Sequence, residues 1–91
     1  MLFHRKSIES NGDIIEMKIW QMPRSSDRKH GIKYSLVFIQ QGHRTVGYDN
    51  AEGKGDHRHI RHREYRYHFT DVDTLIQDFL SDVEKMKRGE P

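Results

Sequence analysis

Val72, Leu75, Ile76, Phe79, Leu80, Val83 and Met86 recur three and four residues apart, and this spacing constrains the fold more than any other feature of the chain. Side chains at such intervals share one face of an α-helix, so residues 71–88 read as a single amphipathic helix with one apolar stripe. Thr70 with Asp73 three residues later supplies oxygens for the free amides of a first turn, and Gly89 and Pro91 mark the end. A lone stripe cannot bury itself. It needs an apolar layer, and the upstream residues can provide one.

Those residues read as strands. Residues 2–10 and 13–22 flank Asn11-Gly12, a pair that tolerates the positive φ angles of a tight type I′ turn. In the second segment Ile15, Met17 and Ile19 alternate with Glu16, Lys18 and Trp20, the period of a half-buried strand. Pro23 ends it, and residues 24–31, rich in turn formers, are a surface loop. Residues 33–40 and 44–49 form a second pair turned by Gln41-Gly42. The glycines of residues 51–55 interrupt the pattern, and residues 60–69 read as a fifth, irregular strand or an extended loop. The expected fold is therefore a single α+β domain over residues 1–91: an antiparallel sheet of four to five strands with one C-terminal amphipathic helix packed on a face.

Composition narrows the functions available. A 91-residue chain with 33% hydrophobic residues holds one layer of sheet on one helix, with no room for a cofactor domain. The absence of cysteine removes disulfides, thiolate nucleophiles and cysteine-based zinc sites. No run approaches the roughly 18 apolar residues of a spanning helix, and charge enters at His4-Arg5-Lys6, so a cytoplasmic protein with no membrane partner is expected.

The formal charge of +2 is unevenly spread. Residues 70–91 carry six acids, whereas residues 57–68 carry Arg58, Arg61, Arg63 and Arg66 against Glu64 alone, with four of the seven histidines. Interleaved with Tyr65 and Tyr67, the arginines suit phosphates and stacked bases, so Arg61, Arg63 and Arg66 are candidate RNA ligands. A solvated basic strand would have the same composition.

The chemistry-bearing stretch is Gly53-Lys54-Gly55-Asp56-His57-Arg58-His59. Gly53 and Gly55 around Lys54 resemble an anion nest, although the spacing departs from a P-loop and a plain turn is the simpler account. On an extended backbone His57 and His59 share a face, with backbones roughly 6.6 Å apart at about 3.3 Å per residue. Two imidazoles so placed can flank one phosphate. Cleaving RNA without a metal requires a base for the 2′-hydroxyl, an acid for the 5′-oxygen and cations around the phosphorane. His57 and His59 are candidates for the proton transfers, Arg58 and Lys54 for the charge, and Asp56 for orienting an imidazole. The Asp-His-x-His array also suits a metal-dependent nuclease, and a non-catalytic nucleic-acid- or partner-binding module needs only the basic stretch. The metal-independent reading assigns no metal site and no cofactor.

Tyr48-Asp49-Asn50, Gly53 to Ile60, Thr74-Leu75 and Asp78 to Val83 together resemble the TumE family of type II toxins. The resemblance implies a helix-turn-helix antitoxin as the neutralising partner. It also implies that Tyr48, Asp49, Asn50, Lys54, Asp56, His57, Arg58 and His59 are functional residues; on the ribonuclease reading Tyr48, Asp49 and Asn50 are candidate RNA ligands. After Ile60, where a glycine-containing turn is expected in relatives, this chain has Arg61-His62-Arg63.

Overall fold

Six strands follow one another in an antiparallel meander whose spatial order is the chain order: β1 (Phe3–Ile8), β2 (Ile14–Gln21), β3 (Ile32–Gln40), β4 (His43–Asp49), β5 (His57–Ile60) and β6 (Arg63–Arg66). One helix, α1 (Val72–Lys87), crosses a face of the sheet and packs chiefly on β4. This computed structural model describes residues 1–26, 29–50 and 55–90. The α+β class and the C-terminal helix agree with the sequence, but the sheet has six strands rather than four to five. The expected fifth element over 60–69 is instead the hairpin β5–β6, and its first strand begins at His57. Arg61 takes φ +56 in the turn, a conformation that favours glycine, so the turn carries no glycine signal.

The first hairpin also differs from expectation. Glu9 N donates to Asp13 O and Gly12 N to Glu9 O, while only Gly12 has a positive φ, at +92. The connection is therefore a three-residue loop closed by a left-handed glycine, not a type I′ turn on Asn11-Gly12. Gln41 and Gly42, at φ +51 and +79, do form the two-residue turn between β3 and β4. β4 carries a bulge: Phe38 pairs with Val46 but Ile39 with Arg44, leaving Thr45 as the extra residue.

Alternation sorts the side chains onto two faces. Met17, Ile19, Tyr34, Leu36, Phe38, Val46 and Tyr48 point toward α1 and enclose Leu75, Phe79, Val83 and Met86. Phe79 is wholly buried, a transfer worth about 1.5–3 kcal/mol. Leu80, expected in the apolar stripe, is exposed, so the buried face of α1 is narrower than its sequence pattern. The helix starts one residue later than expected: Asp71, not Thr70, is the N-cap, its carboxylate accepting from Thr74 N at 2.7 Å. At the other end Gly89, at φ +75, donates to Met86 O, and Glu90 N to Lys85 O, which closes the helix in a Schellman motif. Among the described residues, no helix is long and apolar enough to cross a membrane.

Residues of alternate parity, including Lys18, Ser35, Asp49, His57 and His59, face away from the helix. The candidate histidines therefore lie on the uncovered face of the sheet.

Candidate functional site

His57 pairs with Asp49 and His59 with Gly47 across β4 and β5, so both imidazoles and the Asp49 carboxylate stand side by side on the uncovered face. The ring centroids of His57 and His59 are 5.8 Å apart. Asp49 lies between them, with Oδ1 3.5 Å from His57 Nε2 and Oδ2 3.6 Å from His59 Nε2. Glu64 reaches over from β6, where it pairs with His59, and brings Oε1 to 3.5 Å from His57 Nδ1. His57 is 9% exposed, with a carboxylate beside each ring nitrogen, whereas Glu64 stands at the rim. The register sets Arg66 opposite His57 on the same face.

Gly47 adds a cation from β4 itself. A Cβ built on Gly47 would lie 3.1 Å from Cδ and 3.3 Å from Nε of Arg44. The bare glycine is thus the floor on which Arg44 lies, and Gly47 is the partner of His59. The side chains gathered here can exchange protons and hold an anion: two imidazoles with a fixed carboxylate, and guanidinium groups on the same face.

The other sequence-derived candidates are placed elsewhere. Arg58 is on the opposite face, where Nη1 lies 3.5 Å from Asp82 Oδ2 and the guanidinium sits 5.3 Å from the Tyr65 ring centroid. Strand alternation separates it from its neighbouring histidines, so it does not share their site. Asp56 does fix an imidazole, but that of His30: Nε2 donates to Oδ2 at 3.1 Å, and Nδ1 accepts from Ile32 N at 3.1 Å. Those two bonds define the tautomer of His30, whose ring also packs 4.1 Å from Phe69.

Tyr48 and Asn50, expected among the RNA ligands, are buried. Tyr48 is wholly excluded from solvent and donates its hydroxyl to Asp82; burial first, and then that hydrogen bond, push its ionisation well above the usual tyrosine range. Asn50 is 2% exposed and ties the end of β4 to the start of β3, accepting from Tyr34 N at 3.0 Å and donating to Ile32 O at 2.6 Å. Neither side chain offers surface to a ligand. Asp49, between them, points the other way and joins the histidines. Arg61 lies in the β5–β6 turn, and Arg63 pairs with Ile60 on the helix side of β6. Gly53 and Lys54 of the expected nest fall outside the described residues, and Gly55 takes φ +72.

Sequence reasoning missed Glu64, Arg44 and His30. Counting back from a two-residue turn at Arg61-His62 would have set Glu64 against His59. Arg44 needed the combination of a bulge and a bare glycine, and His30 needed a contact across 26 residues that no local pattern encodes.

Among the described residues, no three His, Asp or Glu side chains are grouped so as to hold a metal ion. The array Asp56-His57-x-His59 in particular does not converge, since Asp56 belongs to His30. No curated protein and no solved structure matches the chain. A family model described as Toxin TumE matches residues 2–87, which takes in every strand and the whole of α1. That match spans all but the ends of the 91-residue chain and agrees with the resemblance read from residues 48–60 and 74–83; the chain belongs to the TumE toxin family.

Proposed function

We propose that this toxin acts on RNA as a metal-independent ribonuclease whose proton-transfer pair is His57 and His59. The observation that carries the reading is the pair itself: two imidazoles 5.8 Å apart on the uncovered face, with one carboxylate at 3.5 and 3.6 Å from their Nε2 atoms. One imidazole takes the 2′-hydroxyl proton as the 2′-oxygen attacks phosphorus, and the other gives a proton to the 5′-oxygen as the P–O5′ bond breaks. The products are a 2′,3′-cyclic phosphate and a free 5′-hydroxyl. Asp49 holds both rings in orientation, and Arg44 and Arg66 stabilise the charge of the phosphorane. Lys54 remains a candidate for the same role. Arg58 and Asp56 act outside the site, Arg58 by tying β5 to α1 and Asp56 by fixing His30.

A toxin family implies an antitoxin, and we take the partner to be a helix-turn-helix protein that covers the uncovered sheet face. A second reading rests on the burial of His57, 9% exposed and flanked by two carboxylates. In that reading the pair is a structural strut and the chain binds nucleic acid without cleaving it.

Induced expression of the wild type and of His57→Ala/His59→Ala, with a thermal melt of each purified chain, separates the two. The ribonuclease reading expects growth arrest by the wild type and none by the folded double variant. Arrest by both, with both folded, would leave the strut reading in place.

A further inference from the structure

Three hairpin turns and the C-terminal end of α1 meet at one end of the sheet. In an antiparallel meander alternate connections fall at the same end, which brings Asn11 to Asp13, Gln41-Gly42 and Arg61-His62 together. Lys87 Nζ bonds Glu9 Oε1 at 2.7 Å, and Gln41 N donates to Asp13 Oδ1, which fastens the helix end to one turn and that turn to its neighbour. Between the turns lies a cleft of 720 Å³. Its size is within the roughly 300–1,000 Å³ of pockets that hold small organic ligands.

The rim of the cleft is cationic. His43, Arg44, Arg61 and His62 line it and are exposed, and among the described residues no carboxylate lies within ion-pair distance of any of them. Arg58, Lys87 and Arg88, by contrast, are each paired with an acid. The one acid in the wall, Asp13, is 7% exposed and its oxygens are already engaged by Gln41 N and Asn11 Nδ2. Thr45, the bulged residue, contributes a buried hydroxyl with no hydrogen-bond partner among the described residues. Two fixed-charge guanidinium groups, two imidazoles and a hydroxyl suit phosphate oxygens.

Arg44 links this cleft to the histidine pair. It lines the cleft while its Cδ and guanidinium lie over Gly47, the strand partner of His59. We propose that the cleft binds the phosphodiester backbone of single-stranded RNA, seating phosphates adjacent to the one presented to His57 and His59. The proposal rests on the ribonuclease reading for its substrate class. An acidic polypeptide would meet the same charges, but it would have no use for the continuity with the imidazoles.

The test is binding of a short fluorescein-labelled oligouridylate by the His57→Ala/His59→Ala chain, read by anisotropy across a salt series. Because that chain lacks the imidazoles, binding is measured independently of cleavage, and either reading can fail alone. Adding Arg44→Gln/Arg61→Gln is expected to weaken binding at least tenfold and to lower the log–log salt slope by about 1.4, from about 0.7 per phosphate contact on a single strand. A charge-matched control, Arg5→Gln/Lys6→Gln on β1, is expected to leave the slope in place. Amide shifts in the His57→Ala/His59→Ala chain give a reading free of the arginine substitutions, with Gln41, Thr45, Arg61 and His62 expected to move on adding RNA. An unchanged slope in the arginine variant, an equal fall in the control, still amides at the turns, or equal competition by poly-glutamate would each overturn the proposal.

Discussion

Replacing Asn50 with alanine removes both hydrogen bonds that join the end of β4 to the start of β3. Tyr34 N, in a residue 1% exposed, would lose its 3.0 Å acceptor, and Ile32 O its 2.6 Å donor. A stranded buried group costs about 1–3 kcal/mol. Ile32 is only partly buried, so its carbonyl can recover some hydration, and the sum is about 2–4 kcal/mol. A domain of this length has about 5–13 kcal/mol in total, and each kcal/mol moves the midpoint by about 4–8 °C. Asn50→Ala is therefore expected to melt at least about 8 °C below the wild type by circular dichroism, with a matching fall in the urea midpoint. Were Asn50 a surface ligand for RNA, the loss would stay within about 0.5 kcal/mol and the melt would move by no more than about 4 °C. That result, with RNA affinity lost, would refute the assignment of this motif residue to the scaffold.

Three further outcomes follow from the same geometry. Arg61→Gly should raise stability by about 0.5–1 kcal/mol, because relief of the left-handed strain at φ +56 exceeds the added entropy of glycine, while RNA binding weakens; urea melts and anisotropy check the opposed signs. Gly47→Ala puts a methyl group against the flexible Arg44 side chain rather than against backbone, so urea melts should show a stability change of less than about 1 kcal/mol while cleavage slows. Burial foremost holds the hydroxyls of Tyr34, Tyr48 and Tyr67 neutral in the fold, with Asp56, Asp82 and Asp78 next in effect. An unfolded tyrosine ionises near pH 10, so above that pH the folded chain binds more protons; stability is full below about pH 10 and falls as pH rises beyond it. A urea midpoint that stays level up to about pH 11 would contradict this.

The elements whose periods are strict were legible in the sequence. The α1 stripe, the alternation of Ile15, Met17 and Ile19, and the Gln41-Gly42 turn each follow from local spacing. What escaped was set by backbone conformations that the residue types oppose: a left-handed Arg61 hid the β5–β6 hairpin, and with it the position of Glu64. The candidate site was legible in part. His57 and His59 share a face as an extended backbone requires, and the same alternation that joins them expels Arg58. Reading the segment as a contiguous motif concealed this, because adjacent residues in a strand serve opposite faces. Tyr48, Asp49 and Asn50 divide in the same way: the outer two hold the core together and the middle one meets the histidines.

The most direct test of the central claim is the end-group chemistry of RNA treated with purified toxin in the presence of a chelator. The account expects 2′,3′-cyclic phosphate and 5′-hydroxyl ends from the wild type, and a rate at least about 100-fold lower from folded His57→Ala and from folded His59→Ala, the usual scale for removing a general acid or base. Cleavage that persists in both variants, or that the chelator abolishes in the wild type, would contradict it.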